Sequence, residues 1–145
     1  MLTIEHNRVE EETISVPSET SVRLHFPCGL LGFEQIKAYT LHAFDEIKPF
    51  LWLEAQNGSN LCFLVTPPLF VVEYYHIDLT DEDVAFLGLA RPEDAVILNI
   101  ATFHSDGTVT VNLKGPIVYN RQTFVSRQVV PRNAAALSLK HPVSN

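Results

Sequence analysis

The chain has 145 residues, a length suited to one domain spanning residues 1–145. Its 46% apolar content can fill a real core and excludes a disordered chain. A net charge of −7 with only 10 Lys and Arg excludes a surface built to hold a nucleic-acid backbone, and instead suits solubility or a basic protein partner.

Residues 1–12 are polar and acidic, unlike a secretory signal, and no apolar run reaches the roughly 18 residues of a membrane span. A cytoplasmic location is therefore expected. Residues 1–9 are short and mixed. Glu10-Glu11-Glu12 reads as a solvated turn, residues 13–16 as a strand, and Pro17-Ser18-Glu19 as a turn. Val22, Leu24 and Phe26 then alternate with Ser21, Arg23 and His25, the pattern of a half-buried strand. Pro27 removes a ladder donor and stops it. Gly29 and Gly32 follow, each beside large apolar side chains, and free the backbone for tight or left-handed geometry. Leu30, Leu31 and Phe33 are expected to tuck back onto a core. The stretch is either a structural corner or a binding loop. It lacks the Lys-Ser/Thr and the following helix of a phosphate-cradling loop.

Residues 38–44 and 50–56 read as strands, the second with Leu51, Leu53 and Ala55 on one face. Asn57-Gly58-Ser59-Asn60 is turn chemistry, and residues 61–65 return as the hairpin partner. Thr80 before Asp81-Glu82-Asp83 predicts a helix start, with Asp83 answering the cap. Val84, Phe86 and Leu87 would face the core, and Gly88 would end the helix after about two turns. Arg91-Pro92-Glu93-Asp94 is a turn. Residues 95–104 carry the longest strand signal, and Asp106-Gly107 leads into an alternating strand over 108–113. Gly115-Pro116 marks a bend or bulge. Residues 117–120 and 123–130 are further strands, and 134–139 a short helical turn. About eight short strands with one or two short helices predict an all-β, mainly antiparallel fold, a small β-barrel or barrel-like sandwich.

Little in the chain points to catalysis. Cys28 and Cys62 sit in apolar settings and read as reduced core thiols with no disulfide between them. The six histidines have no zinc-ligand spacing and read as surface or hydrogen-bonded residues, with His25 and His42 facing water. There is no Gly-x-Ser-x-Gly elbow, and the carboxylates gather in turns. No cofactor, metal or enzymatic activity is expected. The stretch from Phe70 to Asp78 is different. Glu73 and Asp78 bracket Tyr74 and Tyr75, which suits either an edge strand with one tyrosine inside or an aromatic anchor with an acidic rim. On the second reading Phe70, Glu73, Tyr74, Tyr75 and Asp78 form a partner surface.

Several segments in order resemble one family, the flagellar assembly factor FliW. They are Phe26-Pro27-Cys28-Gly29-Leu30-Leu31-Gly32-Phe33-Glu34, then Tyr39 and Leu41, Pro49-Phe50 with Leu53, Phe63 with Val65 and Pro67, Tyr74 or Tyr75, residues 110–118, and Gln128-Val129-Val130. The match runs over about residues 20–130. Glu54, Thr66 and Gly115 depart from the family pattern, where Gln, Asp and Ala are usual. The resemblance implies a non-catalytic β-barrel protein of the bacterial cytoplasm, acting in flagellum biogenesis and translation regulation. It would bind newly made flagellin in the manner of a chaperone. It would also bind the translational repressor CsrA and keep it from silencing flagellin mRNA, with flagellin and CsrA competing. Gly29, Gly32, Phe33, Gly115 and Pro116 are then expected to serve as structural corners. The other reading, a small-ligand or cofactor-binding barrel, has the 29–33 corner closing a pocket.

Overall fold

The computed structural model describes residues 2–7 and 21–143. The acidic run at 10–12, the strand expected over 13–16 and the turn at 17–19 lie outside them. The described residues form eleven strands, one α-helix and four single turns of 3-10 helix. The strands are β1 (Leu2–Asn7), β2 (Ser21–His25), β3 (Ala38–His42), β4 (Leu51–Ala55), β5 (Cys62–Thr66), β6 (Tyr74–Leu79), β7 (Ala95–Phe103), β8 (Val109–Val111), β9 (Ile117–Asn120), β10 (Ser126–Gln128) and β11 (His141–Pro142); α1 is Asp81–Leu87. All pairings between strands are antiparallel.

Nine strands form one sheet along the path β10-β9-β7-β5-β4-β3-β2, with β8 on β7 and β11 on β8. A single parallel bridge, His25 to Val125, links β2 to the segment before β10, and His25 N–H donates to the Phe124 carbonyl (3.0 Å). One bridge does not close the sheet, so the architecture is a barrel-like sandwich and not a closed barrel. β1 and β6 make a separate two-stranded ribbon. Residues 2–7 hold a full strand where a mixed segment was expected. Ile4 is buried between exposed Thr3 and Glu5, and all six residues pair with β6. Conversely, the strand expected over 123–130 is ordered as β10 for only three residues, and the 134–139 turn shortens to Ala134–Ala136.

Two apolar cores sit back to back. One, inside the curve of the large sheet, holds Leu24, Phe26, Leu30, Tyr39, Leu41, Leu53, Val65 and Ile117. The other lies between the ribbon, α1 and the second half of the sheet, and holds Ile4, Tyr75, Ile77, Leu79, Leu87, Val111 and Val118. β7 is the wall between them. Ala95, Ile97 and Ala101 face one core, while Val96, Leu98 and Ile100 face the other. A strand buried on both faces reads as a continuous apolar run, which is why residues 95–103 carry the strongest strand signal.

The helix forms as its first residues predict. Thr80 Oγ1 accepts the Asp83 N–H (3.1 Å), and Gly88 caps the other end. Leu87 is buried, with Val84 and Phe86 half-buried. The Asp83 side chain turns to Arg127 Nη1 (3.1 Å), whose guanidinium also lies 4.3 Å above the Phe86 ring. Asn120 holds the far end of α1 from below, its Nδ2 donating to the Leu87 and Gly88 carbonyls.

Candidate functional site

The β1–β6 ribbon buries one face and presents the other. Along β6, Tyr75, Ile77 and Leu79 point into the core, and Tyr74, His76 and Asp78 point out. This divides the pair of tyrosines. Tyr74 is 49% exposed, whereas Tyr75 is 2% exposed and donates its hydroxyl to the Leu113 carbonyl. Burial pushes the Tyr75 hydroxyl up to about 12. Tyr75 is therefore a core residue, as in the reading of an edge strand with one tyrosine inside, and it drops out of the partner surface of the other reading. Tyr119, in the other core, is likewise pushed up to about 12 by burial.

On the outer face, Tyr74 donates its hydroxyl to Glu5 Oε2 (2.7 Å), and that bond is the first cause of its raised pKa. Thr3 Oγ1 donates to Asp78 Oδ1 (2.7 Å) across the ribbon. Asn133 fixes the far edge: its Oδ1 accepts the Asp78 N–H (2.9 Å) and its Nδ2 donates to the His76 carbonyl (3.0 Å). Glu73 is exposed just before β6, and Phe70 is 44% exposed at the end of a 3-10 turn (Pro68–Phe70). The result is a two-stranded outer face with the Tyr74 ring at one end, bonded to Glu5 and 5.7 Å from the His76 ring, Asp78 further along the same strand, and Glu73 just before it. Glu5, Thr3 and Asn133 were missed in the sequence. The alternation of Leu2, Ile4 and His6 with Thr3, Glu5 and Asn7 was the available signal.

The glycine corner is built differently. Gly29 and Gly32 have φ of +68° and +87°. A Cβ on Gly29 would lie 2.5 Å from the Glu34 Cα, whereas one on Gly32 would meet nothing within 4 Å. Leu30 is buried at 1% exposure, but Leu31 is 59% and Phe33 39% exposed, so only one of the three side chains expected in the core is there. The reason is long-range. The Leu31 N–H donates to Gln128 Oε1 (3.0 Å), and Gln128 Nε2 donates to the Gly115 carbonyl (2.9 Å), which ties the corner to the 112–116 loop. Gly115 has no positive φ. What it provides is space, since a Cβ there would come within 3.3 Å of the Asn112 and Gln128 amides. The adjoining Pro116 accepts the Val129 N–H at its carbonyl (2.9 Å). Glu34 Oε2 accepts the Gly32 N–H (2.9 Å); this bond first, then its own N–H and the Lys37 charge, holds its carboxyl below the usual range.

The Phe33 ring meets Phe63 edge-on at 5.2 Å, Phe63 lies 6.2 Å from Tyr39, and Tyr39 5.1 Å from Phe26, so an aromatic series runs from the corner into the core. Beside it lies a surface hollow of about 430 Å³ lined by Gly32, Phe33, Glu34, Gln35, Ile36 and Asn57. Of its lining residues, Ile36 packs against the core that holds Tyr39, and none is itself a buried member of either core.

The remaining candidates fall elsewhere. Cys28 and Cys62 are free thiols, and both are exposed; the apolar neighbours that suggested core positions point away from them, toward the other side of turn and strand. His25 is exposed, and His42 is half-buried between Ser21 Oγ and Glu54 Oε1, each at 2.9 Å, with the Phe44 ring stacked on it. Glu54 thus serves as a cross-strand partner. Thr66 is fully buried and bonds the Pro67 carbonyl (3.2 Å). Among the described residues no group of three or more His, Cys, Asp or Glu could hold a metal ion. None of their helices is long and apolar enough to cross a membrane.

The model of the FliW protein family matches residues 4–143. The flagellar assembly factor FliW of Natranaerobius thermophilus is 34% identical over 122 residues, covering 83% of this chain and 80% of its own. That of Clostridium botulinum is 28% identical over 139 residues, covering 95% and 92%. A crystal structure of the flagellar assembly factor FliW superposes with a TM-score of 0.76 at 25% identity, covering 95% of each chain. With the sandwich, the corner and the matched length together, this chain belongs to the FliW family, whose members are named as flagellar assembly factors.

Proposed function

We propose that this protein is a non-catalytic flagellar assembly factor of the bacterial cytoplasm that binds flagellin and antagonises the translational repressor CsrA. Flagellin occupancy then reports the flagellin level, and free protein sequesters CsrA so that flagellin mRNA is translated. Family membership supports this reading. The observation that carries it on the molecule is the outer face of the β1–β6 ribbon, where exposed Tyr74 sits among Glu5, Glu73 and Asp78 with Phe70 nearby. An aromatic anchor supplies buried area, and carboxylates around it steer and orient a basic partner. The net charge of −7 matches a partner that itself binds RNA and disfavours direct RNA binding by this chain.

Surface plasmon resonance against purified CsrA and flagellin tests the reading. A Glu73→Lys, Asp78→Lys double variant associates more slowly with CsrA and loses much of its salt dependence, because charge steering is screened over about 10 Å at 0.1 M salt. Tyr74→Ala acts on dissociation, speeding it by about tenfold or more. Unchanged rates for both variants with both partners remove the ribbon as the contact surface. A wild-type chain that binds neither partner removes the function.

A further inference from the structure

Outside the ribbon, the turn between β4 and β5 places a nucleophile beside an electrophile. Of all the asparagines, only Asn57 precedes a glycine. Asn57, Gly58 and Ser59 are exposed, and the Ala55 N–H donating to the Leu61 carbonyl (2.8 Å) closes the hairpin behind them. Asn57 Oδ1 accepts two hydrogen bonds from one residue, the Ser59 N–H (3.1 Å) and the Ser59 hydroxyl (2.5 Å). This is an Asx turn, which folds the side-chain amide back over the next peptide unit. Two donors on one carbonyl oxygen draw electrons from Cγ and stand where negative charge gathers when a nucleophile adds there. The adjacent nucleophile is the Gly58 nitrogen. Its N–H donates to no group among the described residues. A Cβ on Gly58 would meet nothing within 4 Å, so the nitrogen has neither a side chain of its own nor a neighbour on that side to hinder it.

The turn between β7 and β8 supplies a contrast within the same chain. Asp106 Oδ1 accepts the Thr108 N–H (3.0 Å) and the Thr108 hydroxyl (2.6 Å), and Gly107 has a φ of +89° against +79° for Gly58. There the Thr108 bonds, the hydroxyl first, hold the Asp106 carboxyl below the usual carboxylate range, so it stays an anion and a poor target for a nucleophile. The Gly107 N–H is also engaged, at the His104 carbonyl (3.0 Å). The two turns share their side-chain bonds and differ in the electrophile and in the freedom of the nitrogen.

We propose that Asn57-Gly58 is a site of spontaneous covalent modification, at which Asn57 is converted to aspartate and isoaspartate with Ser59 as the assisting residue. The Gly58 nitrogen loses its proton to solvent base and bonds to Asn57 Cγ. The Cγ–Nδ2 bond breaks, Nδ2 takes up a proton and leaves as ammonia, and a five-membered imide remains. Water then adds to one of the two imide carbonyls and breaks its bond to the Gly58 nitrogen. Opening at Cγ gives aspartate. Opening at the backbone carbonyl gives isoaspartate, which routes the main chain through the former side chain and lengthens the turn by one carbon. Nothing is oxidised or reduced, water is the only co-reactant, and either product adds one negative charge to the turn.

The test is incubation of the full chain in mildly alkaline buffer, followed by digestion and mass mapping. Isoaspartate is measured by methyl transfer from an isoaspartyl methyltransferase. The peptide holding Asn57 is expected to gain about 1 Da ahead of every other asparagine peptide, while the peptide holding Asp106 acquires no isoaspartate. The rate rises with pH, because the attacking nitrogen must lose its proton. Ser59→Ala keeps the backbone donor and removes the hydroxyl, and slows the conversion about threefold. Gly58→Ala crowds the nitrogen with a methyl group and slows it about tenfold. Both positions are exposed, and melting curves confirm that the variants are folded. In urea the Asx turn is gone, so wild type and Ser59→Ala convert at the same rate. An Asn57 peptide that stays unchanged over several weeks, or that converts no faster than the other asparagines, would overturn the proposal. So would equal rates for folded wild type and folded Ser59→Ala, or isoaspartate at Asp106 as fast as at Asn57. None of these outcomes depends on whether CsrA or flagellin binds the ribbon.

Discussion

The ribbon and the glycine corner both expose aromatic side chains, and they do so by unlike means. In the ribbon a period of two decides everything. Tyr74 and Tyr75 are adjacent in sequence, identical in chemistry and opposite in environment, because successive strand residues point to opposite faces. In the corner there is no period. Leu30 and Leu31 are also adjacent and identical, and also opposite in environment, but their division goes with two left-handed glycines and a hydrogen bond from the Leu31 N–H to Gln128. A strand face can be read locally. A corner face depends on residues a hundred positions away.

The widest separation should come from the tyrosine pair. Tyr75→Ala removes a fully packed ring and its bond to the Leu113 carbonyl, and is expected to cost about 3–5 kcal/mol in urea unfolding. Tyr74→Ala should leave the melting temperature essentially unchanged. Equal losses would break the claim that alternation alone sorts them.

The corner makes a graded test. Gly29→Ala places a Cβ against the Glu34 backbone at positive φ and is expected to cost about 3 kcal/mol or more. Gly32→Ala suffers the φ penalty without a clash and should cost about 1 kcal/mol. Gly115→Ala has neither, only two side-chain amides that must give way, and should cost less than about 1 kcal/mol. Thermal melts of the three variants check the order, and an inverted order would mean that the corner relaxes.

A further effect appears only at high pH, as a titration. Tyr75 and Tyr119 have hydroxyls raised to about 12 in the folded state, against an unfolded value near 10. Between these values the unfolded chain has lost the protons that the folded chain keeps. Their stabilising contribution is therefore complete below pH 10 and falls as pH rises from about 10 to 12, by up to about 1.4 kcal/mol per pH unit for each tyrosine. Urea unfolding from pH 9 to 11.5 follows the loss, with phenolate absorbance as the control. Tyr75→Phe should flatten the slope, whereas Tyr74→Phe should alter it less.

Much of the fold was legible because its signals are local. Thr80 and Gly88 bracket the helix, Asp106-Gly107 turns the hairpin, and residues 95–101 of β7 show their burial on both faces as an apolar run broken only by Asn99. β1 was overlooked because its apolar positions are only Leu2 and Ile4, and its strand character depends on pairing with β6 across some seventy residues. The cysteines misled for the same reason as Leu31. Apolar neighbours in sequence do not say which way a side chain on a turn or a strand end points, and Cys28 and Cys62 point out. For the candidate site, Phe70, Glu73, Tyr74 and Asp78 were visible as composition. Glu5, which receives the Tyr74 hydroxyl, could be found only from the register of the ribbon.

β7 has a consequence beyond positioning either surface. Each core takes alternate side chains of residues 95–101, so neither half owns the strand. Losing the packing on one face frees β7 to shift, and a shift of one residue would exchange the sets that the two cores bury. Among the described residues the two cores are therefore expected to unfold in one cooperative transition. Stabilising the ribbon on one side of β7 is then expected to protect the core that carries the corner on the other.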